Sequence, residues 1–238
     1  MKKRVLFALC ALLALAVAVV CGYSALQFLE SAPTAASFDA VTVVIDAGHG
    51  GEDGGASSRD GVLESTLNLE IAQRVEDLLH FAGIGTKMIR TEDVSVYTDG
   101  ANIQQKKVSD LKNRVRMVND TPGALLVSIH QNFFPESKYR GAQVFYAKTP
   151  GSEQLAGIMQ DALRACADEQ NHRRCKPSES VYLMEKAACT AVLVECGFLS
   201  NGAEAELLQQ PHYQQKLAAG ICGAISRFLE TEGDTDEV

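Results

Sequence analysis

The chain has 238 residues, 46% of them hydrophobic, and a formal net charge of −8. That length supports one ordinary domain with a sizeable core, and the acidic balance argues against nucleic acid and against a polybasic lipid-binding role. Outside the N-terminal apolar stretch stand Cys166, Cys175, Cys189, Cys196 and Cys222, an odd set with no C-x-x-C pair, so a disulfide framework is not indicated.

Met1 to Arg4 is basic, and Val5 to Leu29 is apolar and uncharged. That stretch exceeds the roughly 20 residues a membrane helix needs. The basic flank predicts an N-in orientation with the rest exported. A signal peptide cleaved near Val20-Cys21-Gly22 is the rival reading; length favours an uncleaved anchor. Residues 1–30 are thus an anchor or signal segment, 31–40 a linker of small residues, 41–230 the folded domain and 231–238 an acidic, disordered tail.

Val41 to Ile45 is a continuous β-branched run, the pattern of a parallel strand covered on both faces. It passes at once into Asp46, His49 and a glycine-rich loop, where glycine lets the backbone take φ > 0 and approach a ligand closely. A phosphate cradle is the competing reading, but Asp46, Glu52 and Asp53 would repel a pyrophosphate and no P-loop lysine follows. Leu67, Ile71, Val75, Leu78 and Leu79 predict a helix from Thr66 to Ala82, with Ser65 as N-cap and Gly83 as stop. Glu64 just precedes it, where a plain surface carboxylate would gain about 0.3–1 kcal/mol from the helix dipole. A strand over Ile84–Ile89, a polar loop from Arg90 to Lys107 and a helix over Val108–Asn119 come next.

Ala124 to Ile129 is a second continuous apolar run and ends in His130-Gln131-Asn132. A strand over Gly141–Ala147, a helix over Ser152–Asp168, a polar loop holding a solvated His172 and a short strand over Ser180–Leu183 follow. Ala191 to Val194 is a third apolar run, ending in Glu195, and a last amphipathic helix covers Pro211–Leu229. Alternating strands and helices predict an α/β fold: one domain with a mostly parallel twisted sheet flanked by helices, preceded by an N-terminal membrane segment.

In such sheets ligands bind beyond the carboxyl ends of the strands. His49, His130 and Glu195 each follow a separate buried run, and Glu64 enters through the loop after the first. Two histidines and a carboxylate make a common catalytic zinc set, and a further carboxylate nearby can serve as general base. Asp46 reads as an orienter of His49 or of the loop backbone. Arg114 and Asn132 are candidates for substrate or structural contacts, and Glu70 reads as a surface carboxylate.

The blocks IDAGHGGEDGGA, GVLESTLNLEIA, LLVSIHQN and AVLVECGFLSN, in that order, resemble the zinc-dependent N-acetylmuramoyl-L-alanine amidases over residues 41–230. KKVSDLKNRVRMVN and RGAQVFYA look more like the sporulation, germination-specific branch, and an N-terminal anchor suits that branch. The resemblance implies one Zn2+ per chain held by His49, Glu64 and His130, with Glu195 as the catalytic glutamate. It implies hydrolysis of the amide between the lactyl group of N-acetylmuramic acid and L-alanine in peptidoglycan, ahead of muramic δ-lactam formation in the spore cortex; a zinc peptidase acting on the stem peptide and a non-catalytic peptidoglycan-binding module are the alternative readings. The implied location is outside the cell membrane, anchored through residues 5–29, and an accessory protein is left open. Two residues depart from the family pattern: Ala47, where proline is common, and Gln131, where a small residue is usual and where the longer side chain is expected either to narrow the site or to contact substrate. The connections between blocks are too short for the long inserted helix that blocks the zinc in some division amidases.

Overall fold

The computed structural model describes residues 41–233. The expected membrane segment, the linker and the end of the tail lie outside them, and no described helix is long and apolar enough to cross a membrane. The strands are β1 (Thr42–Ala47), β2 (Gly85–Met88), β3 (Ala124–Asn132), β4 (Gln143–Tyr146), β5 (Lys176–Pro177) and β6 (Thr190–Phe198). The helices are α1 (Glu64–Phe81), α2 (Ile103–Asn119), α3 (Ser152–Ala167), α4 (Tyr182–Lys186), α5 (Gly202–Leu208) and α6 (Pro211–Gly233). The sheet runs β2-β1-β3-β6-β4-β5. β2, β1, β3 and β6 are mutually parallel, and β4 pairs antiparallel with β6.

Residue parity along the strands decides the two faces. Val43, Ile45 and Ala47 of β1, Leu125, Val127 and Ile129 of β3, and Val192, Val194 and Cys196 of β6 join one core with Leu67, Ile71, Val75 and Leu79 of α1. α3 and α6 complete that core through Leu155, Met159, Ile221 and Ile225. The alternate residues Val44, Leu126, Ala191 and Leu193 form a smaller core with Val118 of α2 and Leu183 and Met184 of α4. On this second face each central strand turns polar toward its carboxyl end: Val44 gives way to Asp46, Leu126 to Ser128 and His130, and Leu193 to Glu195.

Several elements differ from the expectation. β3 and β6 run on through His130 and Glu195, so both residues lie within strands, paired with each other in register; an irregularity between His130 and Asn132 follows at once. α1 starts at Glu64 with Leu63 as N-cap. Ser65 is therefore not the cap, and its buried hydroxyl makes no hydrogen bond among the described residues. α2 begins at Ile103, where the Asn102 side chain accepts from Gln105 N at 3.0 Å. Its first turns are exposed, so no apolar stripe marks them. Ser180–Leu183 is not a strand: Val181 caps the short α4, and the edge strand β5 lies just upstream. α5 is an unexpected helix, capped by Asn201 accepting from Glu204 N at 3.1 Å. α6 extends through residues 231–233, which were expected in the tail.

Candidate metal centre

β1 ends at Ala47, and the chain then takes a tight path through Gly48 and His49. His49 has φ 61°, the only non-glycine residue with positive φ among those described. Such a left-handed residue costs about 1–3 kcal/mol and persists only where its surroundings fix it. Two buried guanidiniums do so here. Arg90, just after β2, donates to the carbonyls of Ala47 at 2.8 Å, Gly48 at 3.0 Å and Ser65 at 2.8 Å. Arg114 of α2 donates to the carbonyls of Ala47 at 3.0 Å and His49 at 2.7 Å. Arg114 also forms a buried ion pair with Asp46, whose other oxygen accepts from Ser128 Oγ at 2.6 Å.

The donor atoms converge on Glu64, the first residue of α1. Its Oε1 lies 3.0 Å from His130 Nδ1 and 3.4 Å from His49 Nε2. Asn68, one helical turn on, donates to the same oxygen at 3.3 Å, and Gln131 N donates to it at 3.1 Å. Glu64 Oε2 accepts from Ala56 N at 2.8 Å. One ligand atom from each of His49, Glu64 and His130 falls within 4.8 Å of the others, close enough to hold one metal ion. Glycine is required at two positions beside them. A Cβ on Gly48 would fall on the His130 ring, and a Cβ on Gly55, which has φ 70°, would strike Glu64 and His49.

Charge follows the same pattern. Burial opposes the ionised forms of Glu64 and Asp46, but the histidines beside Glu64 and the Arg114 guanidinium beside Asp46 outweigh it and hold both below the usual carboxylate range. Burial also opposes a charged His49, yet hydrogen bonds to Asp53 and Glu64 push its pKa up to about 9. Glu195 is the opposite case. Burial, reinforced by Glu64, raises its carboxyl to about 7 against the pull of His130 and His49. Its Oε2 is sealed from solvent and has no hydrogen-bond partner among the described residues.

Of the residues singled out from sequence, His49, Glu64, His130 and Glu195 lie together at the carboxyl ends of β1, β3 and β6. Asp46 does not touch the His49 ring; through Arg114 it fixes the loop backbone. Arg114 is 3% exposed and serves that structural role. Asn132 closes β3, its carbonyl accepting from Leu199 N at 2.9 Å. Gln131 has the other parity, points away from the groove and donates to Asn68 Oδ1 at 3.2 Å, so substrate contact is not its position. Glu70 is half-buried and accepts from Gln214 of α6 at 2.6 Å, so it is not a free surface carboxylate. His172 is exposed. Sequence reasoning missed Asn68, Arg90 and Asp53. The first was signalled by its four-residue spacing from Glu64 on one helix. Asp53, whose Oδ2 lies 3.0 Å from His49 Nδ1, sat in plain view as an acid within the histidine loop.

The family profile described as N-acetylmuramoyl-L-alanine amidase matches residues 43–227. The germination-specific N-acetylmuramoyl-L-alanine amidase of Bacillus subtilis is 39% identical over 197 residues, 82% of each chain. A solved structure of the CwlD amidase from Clostridioides difficile in complex with the GerS lipoprotein superposes with a TM-score of 0.78 at 37% identity, covering 80% of this chain and 99% of that one. The N-acetylmuramoyl-L-alanine amidase from Clostridium difficile 630 gives a TM-score of 0.70 at 29% identity, covering 81% and 98%. With a profile match across nearly the whole described domain, the chain belongs to the N-acetylmuramoyl-L-alanine amidase family.

Proposed function

We propose that this amidase is a zinc hydrolase that removes stem peptides from N-acetylmuramic acid during spore cortex maturation. The observation that carries the reading is the convergence of His49, Glu64 and His130 with an unpartnered, buried Glu195 oxygen beside them. Two imidazoles and one carboxylate suit zinc and leave a coordination position open. When bound, zinc would supply Lewis acidity: it would lower the pKa of water towards about 7 and polarise the amide carbonyl. Glu195 supplies the proton traffic. It accepts the proton of the attacking water and passes it to the leaving L-alanine nitrogen. A carboxyl raised to about 7 is matched to both halves of that task near neutral pH. A groove lined by His49, His130, Tyr97, Ile103 and Leu111 runs from the donor set along α2 and gives the substrate a way in.

The place of work is outside the cell membrane, with Val5 to Leu29 as the anchor. The germination-specific relative supports the spore role. The relative solved with a lipoprotein supports an accessory partner.

Glu195→Gln tests the assignment. The amide keeps the size of the side chain but accepts no proton. Turnover should fall about 10²–10⁴-fold, with one zinc per chain retained and little change in substrate binding. Zinc content that falls with activity would make Glu195 a ligand and redraw the roles. Mass analysis of digested muropeptides tests the reaction itself. Free lactyl-muramic acid with intact peptides starting at L-alanine marks the amidase, and shortened peptides still joined to sugar would mark a peptidase.

A further inference from the structure

We propose that Asp53 is a positioning residue that aims His49 at the metal, and that Lys107 of α2 holds Asp53 in place, so that the metal affinity of the centre is set in part from α2. The inference rests on the zinc reading of His49, Glu64 and His130. His49 presents its two nitrogens to two different carboxylates. Nδ1 lies 3.0 Å from Asp53 Oδ2, while Nε2 faces Glu64 Oε1 at 3.4 Å. An Nδ1 proton donated to Asp53 leaves the Nε2 lone pair pointing into the centre. That bond fixes both the tautomer and the ring orientation.

Asp53 is itself restrained through both its side chain and its backbone. Its Oδ1 lies 2.9 Å from Lys107 Nζ and accepts from Gly55 N at 3.3 Å. Its backbone exchanges two hydrogen bonds with Gly50, at 2.8 and 3.2 Å. Next door, Glu52 accepts from Lys106 Nζ at 2.7 Å, and Gly51 N donates to Asp93 Oδ1 at 2.9 Å. The loop that carries His49 is thus clasped by residues 93–107, a segment with no part in the donor set. His130 has no comparable partner. Its remaining ring nitrogen makes no hydrogen bond among the described residues, and the ring is seated against Gly48. One histidine is placed by packing within a strand and the other by a charged side chain.

A carboxylate on the far nitrogen raises the basicity of a histidine ligand and removes its rotational freedom, and losing such a partner typically costs 10–100-fold in metal affinity. The test is zinc affinity by chelator competition on the full chain, with ring-nitrogen NMR of the metal-free protein as a second readout. Wild type should bind one zinc and His130→Ala should not; failure of that pair would overturn the zinc reading, and the inference with it. Asp53→Asn should bind zinc about 10–100-fold more weakly at unchanged circular dichroism, and, at a pH high enough for the metal-free ring to be neutral, its His49 signals should show a mixture of tautomers in place of one. Asp53→Glu, which keeps the charge, should recover part of the affinity. Lys107→Met should give a smaller loss in the same direction. Wild-type affinity in a folded Asp53→Asn, with zinc binding intact in wild type, would overturn the inference and leave the zinc reading standing. If Asp53→Asn does not fold, Lys107→Met decides: affinity equal to wild type would overturn the proposal.

Discussion

The two faces of the central sheet are built from the same strands and differ in one respect. On the face covered by α1, α3 and α6, every inward residue from Val43 to Ala47, Leu125 to Ile129 and Val192 to Cys196 is apolar. On the face covered by α2 and α4, the strands start apolar and end in Asp46, Ser128, His130 and Glu195. The first face holds the fold together. The second spends part of its core on chemistry, and α2 contributes Arg114 there rather than another apolar side chain. Because strand side chains alternate, a one-residue register slip would exchange the faces and bury the site residues under α1. The extensive apolar face is what forbids that slip.

Substitutions on the two faces should therefore fail in different ways. Arg114→Met leaves Asp46 buried without its cation, which should cost about 3–5 kcal/mol of stability and release the His49 loop. Denaturant melts would show the first effect and zinc content the second. Met159→Ala, on the apolar face, should cost about 2–5 kcal/mol while zinc affinity in the folded protein stays at the wild-type value. A zinc defect in Met159→Ala, or none in Arg114→Met, would dissolve the distinction. Gly48→Ala puts its Cβ on the His130 ring and can be accommodated only by displacing that ring. Misplacement on the scale of 1 Å costs about 10²-fold in turnover, readable in single-turnover rates.

A pH series sharpens the picture further. In the metal-free protein the folded pKa of His49, about 9, lies above its ordinary value near 6.5. Its contribution to metal-free stability is thus fully present below about pH 6.5 and fades as pH rises through about 9. Zinc needs the neutral ring, so zinc affinity should move the opposite way and rise from pH 7 to 9, with about one proton released per zinc at neutral pH. Calorimetry in buffers of different ionisation enthalpy measures that proton. Chelation should have the smallest structural effect: activity lost, with the helical circular dichroism signal nearly unchanged, because both cores lie in the sheet and helices rather than at the metal.

Much of this was readable in the sequence, and what was not has a physical reason. The apolar runs marked β1, β3 and β6 because strands covered on both sides need no alternation. The same continuity hid which residues share a face, so Gln131 was expected in the groove although its parity sends it to Asn68. The first turns of α2 escaped notice because Gln104, Gln105, Lys106 and Lys107 face solvent and the loop rather than the core. The short α4 and α5 are too brief for periodicity to register. His49, Glu64, His130 and Glu195 stood out by chemistry and position. The buried arginines that shape the loop did not, since their partners are backbone carbonyls that no side-chain pattern reveals.

One edge of the sheet has a consequence for how the protein behaves in company. β5 is only Lys176–Pro177, and it lies outermost, beyond β4. A proline offers no amide proton to an incoming strand, and an exposed lysine charge disfavours stacking of like edges. The fold therefore closes that side to strand addition, so crowding does not turn the sheet into a template for aggregation along this edge.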